Sequence, residues 1–418
     1  MKLQTVLDLK ICKLNERRCK TLSNILKNIT VIDWTQNVAG PYCTQLLGDL
    51  GATIIKIERP GTGDDTRQWN SPSWEDEATA FLAFNRNKKS ICIDADDSKG
   101  QEVIKKLVEH ADVFIHSLKP GSAEKRGLGY EQLAKINPSI IYSAISAFGE
   151  SGPLREYPGY DPLIQAYTGI MSVTGNPGDD PARVGVSLID MATGMWALTG
   201  ILSAIINRSN TGKGCVVGAS LLETGLGWMN LPLTNYMATR KVPEKLGTGT
   251  AMVAPYEAFR TKDSWVIIAA GNNRLFSSLC HALGIPELLN DPRFESNKNR
   301  VAYRKELHQT IEERCLGFNT TTIIKILQQA NVPCSPINST NDVYEDEQIN
   351  SLEIIKKIDG FRISNFKIID LPIRINNQRS TFRLPPPLLG EHTVEILKEA
   401  GYNSEEIELL KTEKVVGG

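Results

Sequence analysis

The sequence predicts an α/β fold: a large domain on a parallel sheet covered on both faces, joined to a smaller α+β domain. Three observations carry this. Short β-branched runs alternate with helical stretches from Ile29 onward, the connections between them are brief, and the rhythm changes after Gly247. Ile29–Trp34 reads as a strand, Gly40–Leu50 as a helix and Thr53–Glu58 as a second strand. Ser90–Asp94 is a strand, Ser98–His110 an amphipathic helix and Asp112–His116 a strand of the fully buried type. A helical piece over Tyr130–Ile136 leads into the strand Ser139–Ser146. Helices Ile189–Arg208 and Leu222–Thr239 flank the strand Gly214–Ala219. Beyond Gly247, Tyr256–Arg260 and Trp265–Ala269 pair as a hairpin about Lys262-Asp263, and helical segments follow near 273–284, 301–316 and 319–330. Residues 355–384 are strand-like again, and Pro385-Pro386-Pro387 breaks the chain before a last helix, Thr393–Ala400. The expected organisation is an extension over 1–28, the first part of the large domain over 29–225, a linker helix and small domain over 226–345, and a return to the large domain over 346–418.

At 418 residues, with 41% hydrophobic and 23% charged residues, the chain has ordinary globular composition and length for more than one core. A net charge of −1 provides no bulk field for nucleic acid or anionic lipid, so neither is an expected partner. Any anionic ligand must be held by local cations. The charge is uneven: residues 1–30 hold seven Lys/Arg against Asp8 and Glu16, a local +5 that leaves −6 for the rest. A basic, Leu/Ile-containing start suits a mitochondrial presequence and a matrix location, with a cytoplasmic tail as the alternative. The eight cysteines (12, 19, 43, 92, 215, 280, 315, 334) contain no CxxC pair and read as reduced thiols. The run Leu188–Ile206 approaches membrane-spanning length, yet it holds Asp190, Thr193, Thr199 and Ser203 with Gly194 and Gly200. A close-packed core helix accounts for it better than a membrane span.

Several catalytic signatures are missing. No G-x-G-x-x-G follows the first strand, and there is no P-loop and no G-x-S-x-G elbow. The five histidines (110, 116, 281, 308, 392) lack metal spacing, so no metal is expected. Carboxylate chemistry remains. Asp190 opens an apolar helical run, where an ionised carboxylate costs several kcal/mol unless partners compensate it. One reading is an N-cap that ties off free backbone N–H groups. The other is a nucleophile that the same N–H groups and the helix dipole keep ionised inside an apolar wall.

Cations recur where strands end. Glu58-Arg59-Pro60-Gly61-Thr62-Gly63-Asp64 follows the second strand, Asn85-Arg86-Asn87-Lys88-Lys89-Ser90 precedes the third, and Lys119-Pro120-Gly121-Ser122-Ala123-Glu124-Lys125-Arg126 follows the fourth. Strand-end loops are where α/β sheets bind ligands. Arg59, Lys88, Lys89, Lys125 and Arg126 can therefore surround a multiply phosphorylated ligand, or simply be solvated loop charges.

From Ile29 to the C-terminus the chain resembles the family III CoA-transferases. The resemblance rests on Ala39-Gly40-Pro41, Glu58-Arg59-Pro60-Gly61-Xaa-Gly63-Asp64, Asn85-Xaa-Asn87-Lys88-Xaa-Ser90, Gly159-Tyr160-Asp161, Asp190-Xaa-Xaa-Thr193-Gly194, Ala254-Pro255-Tyr256, Val332-Pro333-Cys334-Ser335-Pro336 and Pro387-Leu388-Leu389-Gly390-Glu391-His392-Thr393. Within the family, Gly63–Arg67, Asn85–Ile91 and Pro385–Gly390 look most like the branch acting on succinate and glutarate or hydroxymethylglutarate. The resemblance implies a Rossmann-like large domain and a homodimer of two chains threaded like linked rings. It implies CoA transfer from an acyl-CoA, succinyl-CoA in that branch, to a dicarboxylic acid, with coenzyme A as substrate and no further cofactor. Asp190 is then the nucleophile. Gln36, Val38, Arg59, Lys88, Ile93, Lys125 and Phe148 would adjoin CoA, with Arg59, Lys88 and Lys125 at its phosphates. Gly247, Gly249 and Thr250, with Tyr160, would border the reacting acyl group through backbone N–H donors.

Departures from the family pattern bear on specificity. Gln36 stands where His or Arg is usual, and Thr250 where relatives in the glutarate branch carry His. The α-methylacyl-CoA racemases share the implied fold but need a His–Asp pair to exchange the α-proton. Their His position holds Tyr160, whose ordinary pKa near 10 makes it a poor base at neutral pH. A non-catalytic CoA-binding protein is the remaining alternative.

Overall fold

The structure is a computed structural model, and residues 25–417 of it are described. They form two compact units. The chain through Thr168, Gly185–Asn230 and everything from Glu353 onward make the first; Gly169–Val184 and Leu231–Leu352 make the second. Residues 1–24 of the expected extension over 1–28 lie outside the described part, as do Cys12 and Cys19; the other six cysteines are free thiols.

The first unit is built on a seven-stranded sheet. In spatial order its strands are Val416–Gly417, Lys88–Ile93, Thr53–Glu58, Thr30–Trp34, Val113–His116, Ile141–Ser146 and Val216–Ser220. Only the terminal Val416–Gly417 pairs antiparallel. The sequence gives this sheet its two faces through the period-2 alternation of strand side chains. Ile32, Trp34, Ile55, Ile57, Ile91, Ile93, Phe114 and Tyr142 point to one face and pack with Val103, Ile104 and Leu107 of the helix Ser98–Val108 and with the C-terminal helices Thr393–Glu399 and Ser404–Thr412. The alternate residues Asp33, Lys56, Glu58, Lys88 and Ser90 fall on the other face, and all five are buried.

Those buried polar groups answer one another. Lys88 Nζ lies 3.1 Å from Asp33 and donates to the Pro41 carbonyl and Asn85 Oδ1, both at 2.9 Å. Lys56 Nζ reaches Asp64 at 2.8 Å and the Thr35 carbonyl at 2.9 Å. Arg67 forms a two-bond fork with Glu58, each arm 2.7 Å, and Ser90 Oγ donates to the same carboxylate at 2.6 Å. Arg86 grips Asp49 in a second fork at 2.9 and 2.6 Å. Most charges in the two loop motifs therefore hold those loops onto the sheet.

Helix Ala39–Asp49 carries Cys43, Leu46 and Leu47 into this unit, and helix Leu188–Thr211 crosses its N-terminus. The close approach needs Gly194: a Cβ there would sit 2.5 Å from the Ala39 carbonyl oxygen and 3.2 Å from Cys43 N. Gly→Ala inside a helix ordinarily stabilises by up to about 1 kcal/mol. Here the clash with backbone reverses the sign, and Gly194→Ala is expected to cost about 1–3 kcal/mol of unfolding free energy in urea titrations. The opposite face of the same helix leaves Met195, Trp196 and Ile206 exposed.

The second unit has a three-stranded antiparallel sheet, Cys334–Pro336, Trp265–Ala269 and Tyr256–Arg260 in that order. The hairpin expected about Lys262-Asp263 is present, with Trp265 opposite Arg260. Helices Asn273–Leu283, Arg304–Cys315 and Thr320–Gln329 pack Phe276, Leu279, Leu307, Ile311, Ile323 and Leu327 around Phe259, Val266 and Ile268.

Thr393–Glu399, expected as the last helix, is followed by a further one, Ser404–Thr412, and two other expected elements differ. The single helix over Leu222–Thr239 is two, Leu221–Trp228 and Asn230–Thr239, because Pro232 has no N–H to continue an unbroken helical ladder. Residues 355–384 yield only the short pair Ile355–Lys357 and Lys367–Ile369; Pro372 and the left-handed Asn376 and Asn377 stop the extended run.

Candidate active site

Asp190 sits in the first turn of helix Leu188–Thr211. That helix end is tied off, but by another carboxylate. Asp161 Oδ2 accepts the N–H groups of Ile189 at 2.7 Å and Asp190 at 3.3 Å, while its Oδ1 accepts Gln165 Nε2 at 2.6 Å. Ser187, at the cap position, contributes no side-chain bond. The capping role considered for Asp190 thus belongs to Asp161, and the Asp190 carboxylate accepts no hydrogen bond from any described residue. It lines a cavity of about 210 Å³ together with Gln36, Val38, Trp69, Lys119, Arg155 and Tyr160.

The protonation of Asp190 also departs from expectation. Burial and then the charge of Asp161 push its pKa up to about 7. The helix N–H groups that were to keep it ionised already serve Asp161, so desolvation and like-charge repulsion prevail. A carboxyl poised near neutrality inside a cleft is a mark of a functional site.

The chain around the cavity is shaped by local bonds. Asn37 adopts φ +67° and its N–H meets Asp64 Oδ1 at 3.2 Å, while Gln36 N–H meets Ser117 Oγ at 3.0 Å. This kink brings Val38 and the start of the Ala39 helix to the cavity wall. Phe148 lies under the wall, buried and edge-on to Tyr157 at 6.1 Å and Tyr167 at 5.4 Å.

The other sequence candidates lie elsewhere. Lys88, expected at a CoA phosphate, is fully buried and its ammonium is occupied by Asp33, Asn85 and the Pro41 carbonyl. The strand begins at Lys88, not Ser90, which turns that residue into the interior. Ile93 is likewise a core residue on the opposite sheet face. Arg59 is half-exposed beyond the strand end, its guanidinium bonded to the Gly63 carbonyl and to Asp65. Lys125 ends the short helix Ser122–Lys125 and is exposed. Gly247, Gly249 and Thr250 line a cavity of about 910 Å³ in the second unit, where Arg304 bonds the carbonyls of Thr250 and Val253.

Cavity residues missing from the sequence reading include Trp69, Arg155 and Tyr157, and Lys119 is named there only as part of a loop motif. Lys119 stands three residues beyond the strand Val113–His116, the position its strand-end loop already signalled. Among the described residues no histidine lines the cavity. His116 is buried and burial pulls it down to about 4, so it stays neutral, its Nδ1 accepting the Leu118 N–H at 3.2 Å. Among the described residues no group of His, Cys, Asp and Glu is placed to hold a metal ion.

Comparison with known proteins agrees with this chemistry. A family model described as CoA-transferase family III matches residues 26–393. A succinyl-CoA:glutarate CoA-transferase of Mus musculus is 38% identical over 90% of this chain and 86% of its own length. The protein of that name from Homo sapiens is 37% identical over 90% and 85%. An acetyl-CoA:oxalate CoA-transferase of Acetobacter aceti is 35% identical over 89% and 94%. Among solved structures, a CAIB/BAIF family protein from Brucella suis superposes with a TM-score of 0.81 at 36% identity, covering 91% of this chain and all of that one. A carboxylate without internal partners at the mouth of a helix and a family match over nearly the whole chain lead to one assignment: the chain is an enzyme that belongs to CoA-transferase family III.

Proposed function

We propose that this enzyme moves CoA from succinyl-CoA to glutarate, or to its hydroxymethyl analogue, through covalent intermediates on Asp190. The Asp190 carboxylate attacks the thioester carbonyl; a C–O bond forms, the C–S bond breaks, and CoA leaves as thiolate with an acyl-aspartyl anhydride behind. The thiolate attacks the aspartyl carbonyl, freeing succinate and leaving an aspartyl-CoA thioester. The acceptor carboxylate displaces the thiolate in turn, forming a second anhydride. Attack of the thiolate on the acceptor's carbonyl then yields the new thioester and restores Asp190. One observation carries the reading: a cavity-lining carboxylate relieved of the capping role that its position suggests.

In this proposal Gln36, Val38 and Phe148 border the coenzyme, Lys119 and Arg155 add positive charge at the cavity, and Arg59 and Lys125 hold phosphates outside it. Losing a charge-assisted phosphate contact costs about 1.5–3 kcal/mol, so Arg59→Ala is expected to raise KM for acyl-CoA at least about tenfold with kcat unchanged, in initial-rate kinetics. The exposed Met195, Trp196 and Ile206 support a homodimer in which a second copy covers that helix face. The basic N-terminal segment supports import into mitochondria.

The test is a panel of acceptors with succinyl-CoA as donor, followed by chromatography of the CoA esters. Glutarate and hydroxymethylglutarate are expected to exceed acetate and oxalate by at least about tenfold in kcat/KM. Preference for a monocarboxylate, or no exchange at all, would overturn the assignment.

A further inference from the structure

The segment Gly159-Tyr160-Asp161 stands 28 residues before the helix it serves. Asp161 is buried, only 4% exposed, and opens the short helix Asp161–Tyr167. Its two oxygens face different partners. Oδ1 is fixed by Gln165 one turn along the same helix, and Oδ2 receives two successive N–H groups at the start of helix Leu188–Thr211. The carboxylate is thereby locked in rotation and in distance, and it determines where that helix begins.

We infer that Asp161 is the positioning residue for Asp190, holding the first turn of its helix through the backbone so that the reactive carboxylate stays unbonded and faces the cavity. The inference rests on Asp190 being the nucleophile. Were Asp161 absent, the free N–H groups of that turn would be open to the Asp190 side chain itself, the ordinary behaviour of an acidic residue in a first turn. A carboxylate drawn onto its own helix end is a weaker and misdirected nucleophile.

The same arrangement has an electrostatic consequence. Asp161 places a second negative charge beside Asp190 and, after burial, is the cause that raises its pKa. The ionisable groups lining the cavity from the other elements are Lys119 on the loop after Val113–His116, and Arg155, Tyr157 and Tyr160 on the loop ahead of Asp161. The Ala39 helix presents only Val38, Ala39 and Gly40 there. Among the described residues Asp161 is thus the one anion opposing Asp190. Since the nucleophile is the carboxylate, acylation should rise with pH through a midpoint near 7 in the free enzyme.

The test measures the rate of CoA thiolate release from succinyl-CoA by rapid mixing, between pH 5.5 and 8.5, for wild type, Asp161→Asn and Asp161→Ala, with urea titrations alongside. Asn keeps an acceptor for the helix N–H groups but removes the charge. Its midpoint is expected to fall by half a pH unit or more, raising the ratio of rates at pH 6 and pH 8 at least about twofold. Ala removes both, and its kcat is expected to drop about 10–100-fold with KM nearly constant. Hydrolysis-resistant trapping of the wild-type adduct separates the two levels of the account. If wild type forms the Asp190 adduct yet Asp161→Ala keeps wild-type kcat, the positioning inference is wrong while the nucleophile stands; an unchanged midpoint in Asp161→Asn overturns the electrostatic consequence. If wild type forms no adduct, the underlying reading fails first. Should Asp161→Ala not fold, Asp161→Glu takes its place, keeping the charge but displacing the oxygens from the helix N–H groups: a drop in kcat is expected, and wild-type kcat there overturns the inference.

Discussion

Replacing Asp190 with Asn is expected to abolish CoA transfer, by a factor of about 10⁴ or more in kcat, without loosening the fold. The size follows from the proposed role, in which Asp190 carries both anhydride and thioester intermediates; loss of a covalent nucleophile is not compensated by the remaining site. The stability side follows from the geometry. The Asp190 side chain makes no hydrogen bond to a described residue, and the helix N–H groups keep their partner in Asp161. The sign of the pH effect points the same way. A carboxyl whose pKa is raised in the fold, here to about 7, gives the native state more protons than the unfolded one between its ordinary value near 4 and about 7. Stability contributed by this group therefore falls as pH rises through that window. The Asn variant has no such loss, so at pH 8 its unfolding temperature is expected to equal or exceed that of wild type. Differential scanning calorimetry at pH 5 and pH 8 checks both statements.

Removing Lys88 is expected to have the second largest effect, and that effect falls on the fold. In Lys88→Met the Asp33 carboxylate loses the nearer of its two cations while remaining fully buried. Burial alone would raise Asp33, but Lys88, Lys56 and the Thr35 and Thr44 hydroxyls together outweigh it and hold the carboxyl below its ordinary value. Breaking one side of such a pair typically costs about 3–5 kcal/mol. A phosphate-binding lysine would behave differently, raising KM for acyl-CoA at unchanged stability. Urea unfolding and initial-rate kinetics on the one variant separate the two roles. Adding Asp33→Asn to Lys88→Met is expected to recover part of the lost stability, because no uncompensated charge then remains.

These two residues show how far the sequence could be read. The parallel sheet was legible because its strands are apolar runs at short spacing, and six of the seven fall within two or three residues of their expected ends. The seventh, Val416–Gly417, is too short to show a period. The fate of Lys88 was not legible. Its motif looks like a loop ahead of a strand, but the strand starts at Lys88, and alternation then sends Lys88 and Ser90 inward beside Glu58 while Lys89 stays partly exposed to meet Glu395. A charge pattern along the chain does not reveal which face a strand presents until its first residue is known. Asp161 was hidden for a different reason: a cap supplied from 28 residues away leaves no mark at the helix it caps. The terminal helix Ser404–Thr412 follows the segment Thr393–Ala400 expected as the last helix, although it carries a local signal, the reciprocal capping box of Asn403 and Glu406.

Incubation of the enzyme with succinyl-CoA and hydroxylamine, followed by peptide mass spectrometry, tests the whole account most directly. A hydroxamate on Asp190, formed in wild type and absent from the Asn variant, is the predicted result. Catalysis of CoA exchange with position 190 unmodified, or a hydroxamate on another acidic residue, would contradict it.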